Sequence, residues 1–153
     1  MQVIQIKAEP LTSEAFRPYG QVIGQDDISL ALKNGEQFRM TIIDMPNCGY
    51  QIRSLNYHQN STQALVPLEG KACLVVVAPP GLTFQEASDL KQVKAFLCDG
   101  SAGINLGLCT WHQALLPIGA QMKMVNIQGA NSSADTHRCD FERTLDAIIE
   151  VTL

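Results

Sequence analysis

Three histidines, His58, His112 and His137, are the side chains best suited to move protons near neutral pH. His58 stands in Asn56-Tyr57-His58-Gln59-Asn60-Ser61-Thr62-Gln63, a strongly polar stretch between two strand-like runs. A simple hairpin would be shorter and richer in Gly, which makes this stretch a site candidate. Positions 56 and 58 alternate along an extended chain, so they share one face and can converge with a side chain from another strand. His112 follows Trp111 in a second strand-like run, where Trp111 reads as a core or pocket-wall aromatic. His137 lies between Thr136 and Arg138, has no neighbour at catalytic or ligand spacing, and is expected to be exposed. Other chemistries lack their signatures: there is no G-x-S-x-G elbow, P-loop, dinucleotide fingerprint or HExxH, and the carboxylates are scattered rather than paired. The five cysteines (Cys48, Cys73, Cys98, Cys109, Cys139) are odd in number, widely spaced and form no CxxC pair. They read as reduced thiols rather than a disulfide framework or a structural zinc site.

The elements that must position these groups are mostly β. Strand-like runs cover Val3 to Ile6, Gln21 to Ile23, Gln37 to Ile43, Gly49 to Leu55, Gln63 to Leu68, Ala72 to Val77, Val93 to Leu97, Trp111 to Leu116, Gln121 to Ile127 and Ala147 to Val151. Asn34-Gly35, Pro46-Asn47, Glu69-Gly70, Pro79-Pro80-Gly81, Asp99-Gly100 and Pro117-Ile118-Gly119 supply the turns between them. Regular punctuation of this kind predicts a barrel or sandwich. The one clear helix is short: Thr12 or Ser13 caps Glu14-Ala15-Phe16-Arg17, and Pro18 ends it. Ala72 to Ala78 is apolar without alternation, as expected of a strand covered on both faces or running through a barrel core. Pro79 to Gln92 and Gly129 to Thr136 read as loops.

At 153 residues with 46% hydrophobic and 17% charged side chains, the chain is expected to form one compact domain with a core that needs no staple. A formal charge of -4 with no basic run argues against nucleic acid as a partner. Ala72 to Ala78, seven residues, is the longest wholly apolar run, far short of the roughly 20 that cross a bilayer, so no membrane association is expected. No secretory signal is visible, and the expected address is the cytoplasm.

The polar stretch resembles the first motif of the cupins, a family of β-barrels, which reads His, one residue, His, three or four residues, Glu, six residues, Gly. Asn56, His58, Gln63 and Gly70 hold those spacings, with Asn and Gln in place of His and Glu, and His112 stands for the His of the second motif. On this resemblance His58, Gln63 and His112 are the possible metal ligands. A divalent ion prefers imidazole together with anionic carboxylate, and neutral amide oxygens are weaker donors, so a divalent metal is disfavoured and the cofactor is left open.

A longer resemblance is narrower in family. Glu14 to Ile23, Thr62 to Leu68, Leu74 to Ala78, Lys94-Ala95-Phe96, Gly103-Ile104-Asn105 and Trp111-His112 are similar to ureidoglycolate lyases, in the same order across nearly the whole chain. The resemblance implies a mostly β, cupin-like barrel with little helix, a homodimer, and cleavage of ureidoglycolate to glyoxylate and urea in purine nitrogen recovery. Such an elimination needs a base for the hydroxyl and an acid for the departing urea; His58 and His112 are the candidates. Asn56 and Gln63 are expected to hold the hydroxyl or ureido oxygen, with Trp111 at the pocket wall. Arg39, in Asn34-Gly35-Glu36-Gln37-Phe38-Arg39, resembles the family's Asn-Gly followed by Arg and is expected to bind the carboxylate, with Asn34 beside it and Lys71 and Arg53 as alternatives. The chain departs from the family where Arg53-Ser54-Leu55-Asn56-Tyr57 replaces an acidic, His-containing stretch and Leu106-Gly107-Leu108-Cys109-Thr110 replaces a polar one. The competing reading is a non-catalytic cupin-like barrel that binds a small carboxylate ligand. The apolar C-terminal run Ala147 to Val151 is the expected contact with a dimer partner.

Overall fold

A computed structural model describes residues 1–33 and 35–153; the expectation placed on Asn34 lies outside the described residues. In chain order the strands are β1 (Gln2–Lys7), β2 (Glu9–Pro10), β3 (Gly20–Ile23), β4 (Phe38–Pro46) and β5 (Gln51–Ile52). There follow β6 (Ser54–Tyr57), β7 (Gln63–Pro67), β8 (Cys73–Ala78), β9 (Lys94–Cys98) and β10 (Gly103–Leu106). The last are β11 (Trp111–His112), β12 (Leu116–Pro117), β13 (Gln121–Gly129), β14 (His137–Asp140) and β15 (Ala147–Thr152). Helix is confined to α1 (Ser13–Phe16), α2 (Phe141–Leu145) and the 3-10 turns Ala87–Gln92 and Ser132–Asp135. The expectation of a mostly β fold with little helix holds.

The strands form three layers. An antiparallel sheet ordered β3-β10-β7-β13-β4 faces a larger one ordered β14-β6-β11-β8-β9-β2, whose far side is covered by β1-β15-β5. Among the described residues the hydrogen-bonded path does not close into a ring. One core cluster joins Val22, Leu65, Ile104, Leu106, Met122 and Met124 of the first sheet to Val75, Val77 and Phe96 of the second. A second cluster joins Leu74, Val76 and Ala78 to Ile52, Ile149 and Val151 of the third layer. β8 is therefore buried at every residue, which is why its sequence shows no alternation.

Local chemistry explains the elements. Thr12, not Ser13, caps α1, accepting from the Ala15 N–H at 3.2 Å, and Phe16 then docks edge-on against Phe96 with ring centroids 5.6 Å apart. The predicted run Gly49 to Leu55 divides into β5 and β6 because the chain passes from the third layer, pairing β15, into the second, pairing β11 and β14. Trp111 to Leu116 likewise divides: His112 pairs with Val77 and Leu116 with Leu74, so residues 113–115 stand opposite only 75–76 and the strand bulges. β10, β14 and α2 were not expected. α2 is capped by the Asp140 carboxylate, which accepts from the Arg143 N–H at 3.0 Å, and it buries Phe141. The C-terminal run is not a partner contact: β15 is the central strand of its sheet, bonded to β1 on one side and β5 on the other.

Candidate functional site

The inner face of the first sheet changes character along its length. In β13 alternate residues point inward, reading Met122 and Met124, then Asn126 and Gln128. Their cross-strand partners in β4 are Met45, Ile43, Thr41 and Arg39 in the same order. The apolar half joins the core, and the polar half opens into a cavity of about 290 Å³. Arg39, Thr41, Asn126 and Gln128 form its wall, while Ser132 and Ser133 of the 3-10 turn after β13 close it. Arg39 makes no ion pair among the described residues, so its guanidinium is available to an anion. The carboxylate of Glu36 reaches the rim, with Oε2 3.0 Å from where a side chain on Gly129 would begin. Such a site offers one cation, hydroxyls and amides, which suits a small polar carboxylate.

A chain of hydrogen bonds runs from this wall into the protein. The Asn126 amide lies 3.3 Å from Thr41 Oγ1 at one end and 2.8 Å from the Gln63 amide at the other, and the far end of the Gln63 amide lies 2.8 Å from His112 Nε2. His112 Nδ1–H donates to the Thr110 carbonyl at 2.8 Å, since a carbonyl can only accept. Burial pushes His112 down to about 4, the Thr110 carbonyl opposing this weakly and the neighbouring His58 adding to it. The ring is therefore neutral at pH 7 and its Nε2 must accept. Gln63 then turns its NH2 toward the ring and its carbonyl toward Asn126, whose amide turns in step so that its NH2 donates to Gln63 and its carbonyl accepts from the Thr41 hydroxyl.

His58 lies beside His112, ring centroids 5.2 Å apart, and its Nδ1–H donates to the Asp135 carbonyl at 3.0 Å. The Asp135 carboxylate in turn accepts from the N–H groups of Gln59 and Asn60 at 3.2 and 2.8 Å. The polar stretch that carries His58 is thereby fastened to the turn that closes the cavity. His58 Nε2 has no hydrogen-bond partner among the described residues. Asn56 is the cross-strand neighbour of His112, with its Oδ1 buried and unpaired.

The structure thus brings Arg39, Gln63, His58 and His112 to one end of the molecule, with both histidines behind the cavity rather than in its wall. Trp111 goes elsewhere. Its indole N–H donates to the Leu82 carbonyl at 2.9 Å, its ring packs on Tyr57 and Phe84, and it lines a separate cavity of about 220 Å³ with Gln59, Thr83 and Cys109. The alternative cations are also engaged elsewhere, Arg53 with Glu142 at 2.7 Å and Lys71 with Glu69 at 3.8 Å. His137 is exposed and stacks on Tyr57. The donor set does not fit a divalent ion: with both Nδ1–H groups on carbonyls only the Nε2 atoms could ligate, His112 Nε2 is held by Gln63, and among the described residues no carboxylate joins them. No group of three or more His, Cys, Asp or Glu suited to a metal occurs among the described residues.

Sequence reasoning missed Thr41, Asn126, Gln128, Ser132 and Ser133. The signal for two of them was present: along Met122-Lys123-Met124-Val125-Asn126-Ile127-Gln128, the inward series switches from Met to amide.

The family model described as ureidoglycolate lyase matches residues 34–148. The ureidoglycolate lyase of Azotobacter vinelandii is 30% identical, with 90% of this chain and 92% of that protein covered, and that of Pseudomonas putida is 31% identical over 90% and 93%. Among solved structures, RmlC from Streptococcus suis aligns with a TM-score of 0.44 at 9% identity, over 61% of this chain and 44% of that one, a likeness too loose to carry an argument.

Proposed function

Because the chain belongs to the ureidoglycolate lyase family, we propose that it cleaves ureidoglycolate to glyoxylate and urea in the cavity headed by Arg39. The observation that carries this reading is a guanidinium without an ion-pair partner among the described residues, at the polar end of an otherwise apolar inner face. The substrate carboxylate takes Arg39, in the two-pronged geometry that guanidinium offers. In the reaction the hydroxyl O–H and the C–N bond break, a C=O bond forms on glyoxylate, and the departing nitrogen gains a proton. Two proton positions are therefore needed, one beside the hydroxyl and one beside the leaving nitrogen.

His58 is the better candidate for exchanging a proton, because its Nε2 is uncommitted and it is fastened to the turn that closes the cavity. His112, neutral and bonded through both ring nitrogens, holds Gln63 and Asn126 in place, so its role is positioning. Asn56 is the reserve polar group beside His112, and Trp111 supports the fold on the opposite side. No step is routed through a metal.

Glyoxylate release from ureidoglycolate by the purified protein tests the reading. Arg39→Ala is expected to raise KM by about tenfold or more, the loss of a charge-assisted pair. His58→Ala is expected to lower kcat by about a hundredfold. Absence of glyoxylate from the unaltered protein would sink the proposal.

We also propose a homodimer. The outer face of the edge strand β4 exposes Phe38, Met40 and Ile42 (39%, 68% and 55%) in a row, and a second copy of the chain is the occupant that covers them. Among the described residues no helix is long and apolar enough to cross a membrane. The five cysteines are unpaired, with Cys48 exposed, which supports a reducing, cytoplasmic address.

A further inference from the structure

The groups in the cavity wall differ in what they still have to offer a ligand. Asn126 is spent at both ends of its amide, on Gln63 and on Thr41. Arg39 offers donors only. Gln128 is the exception: its amide makes no hydrogen bond among the described residues, and its Oε1 is buried without a partner while the side chain lines the cavity. An unpaired buried acceptor is unfavourable, and a ligand donor relieves it.

The register places this acceptor usefully. Gln128 and Arg39 are directly opposed on β13 and β4, where Cβ atoms lie about 4.5–5.5 Å apart. Both line the same cavity, so one small molecule can meet both head groups. A carboxylate is acceptor-only and cannot satisfy Gln128 Oε1, whereas a ureido group carries N–H donors on the carbon next to the carboxylate. Resting on the reading of ureidoglycolate as substrate, we propose that Gln128 is the specificity-determining residue that recognises the ureido group, accepting its N–H at Oε1 while Arg39 holds the carboxylate. A carboxylate ligand with no hydrogen-bond donor beside its carboxylate leaves Gln128 unpaired, and the site discriminates by that difference.

Glu36 at the rim is the competing acceptor, and the experiment separates the two. Binding is measured by calorimetry for N-carbamoylglycine, which has the carboxylate and ureido groups but no hydroxyl and cannot be cleaved, and for propionate, which has the carboxylate but neither a ureido group nor a hydroxyl. The unaltered protein is expected to prefer N-carbamoylglycine. Gln128→Met, of nearly the same shape but without an acceptor of comparable strength, is expected to reduce that preference about tenfold with propionate affinity unchanged. Gln128→Asn, which withdraws the amide by one methylene, is expected to do the same and serves if the Met variant fails to fold. Glu36→Gln is expected to keep the preference.

An unchanged preference in both Gln128 variants, a preference lost in Glu36→Gln instead, or no preference in the unaltered protein would overturn the proposal. Glyoxylate release is measured alongside. Release with an unchanged preference sinks the role of Gln128 alone; a preference that depends on Gln128 without release sinks the lyase reading alone.

Discussion

At the scale of residues, His112 shows how far tertiary burial redirects a side chain. Its type suggested acid/base work, yet it ends with Nδ1–H on a backbone carbonyl, Nε2 on Gln63 and almost no exposed surface. Its folded pKa, about 4, is below the 6.5 of an unburied histidine, so between those values the unfolded chain binds the extra proton. Stability should therefore be full above pH about 6.5 and fall as pH drops toward about 4, by up to about 3 kcal/mol. Urea unfolding across that range measures it, and His112→Gln should flatten the dependence; an equally steep loss in the variant would refute the assignment. Arg39, expected to bind the carboxylate because Asn34-Gly35 followed by Arg39 resembles the family, lines the cavity. Gln128 was not expected, because a lone amide in a strand carries no motif, and only its register opposite Arg39 and the missing partner at Oε1 single it out.

At the scale of elements, alternation was the most legible property and pairing the least. The unbroken apolar run of β8 announced burial on both faces, and the structure supplies a layer on each side. β10 was missed because four residues beginning with Gly give too short a pattern to identify alone, although all four are buried. The entry into β10 depends on Gly100, whose φ of +94° is a conformation L side chains rarely adopt. A Cβ there would lie 2.1 Å from the Gly70 carbonyl oxygen, so backbone at two turns would have to separate. Gly100→Ala is expected to destabilise the fold by about 2 kcal/mol or more, as read from the midpoint of denaturant unfolding. A change within about 0.5 kcal/mol would show that the two turns yield freely.

At the scale of the whole molecule, the three layers decide which surfaces remain for a partner. β15, apolar enough to suggest an interface, is consumed by the molecule's own third layer, and the exposed apolar row passes to β4. Met40→Glu, placing a charge at the most exposed position of that row, is expected to shift the protein from dimer to monomer in light scattering without loss of secondary structure. A monomer before the substitution, or a dimer after it, would move the interface elsewhere. Sequence alone determined the β-rich class, the short capped helix, the buried central strand and the family resemblance, because each rests on local periodicity, turn chemistry or residue order. The three-layer order, the polar end of the inner face and the withdrawal of both histidines behind it were decided only by tertiary structure. Those properties depend on which strands pair and in what register, and residues as distant in the chain as Arg39 and Gln128 become neighbours only when β4 lies against β13.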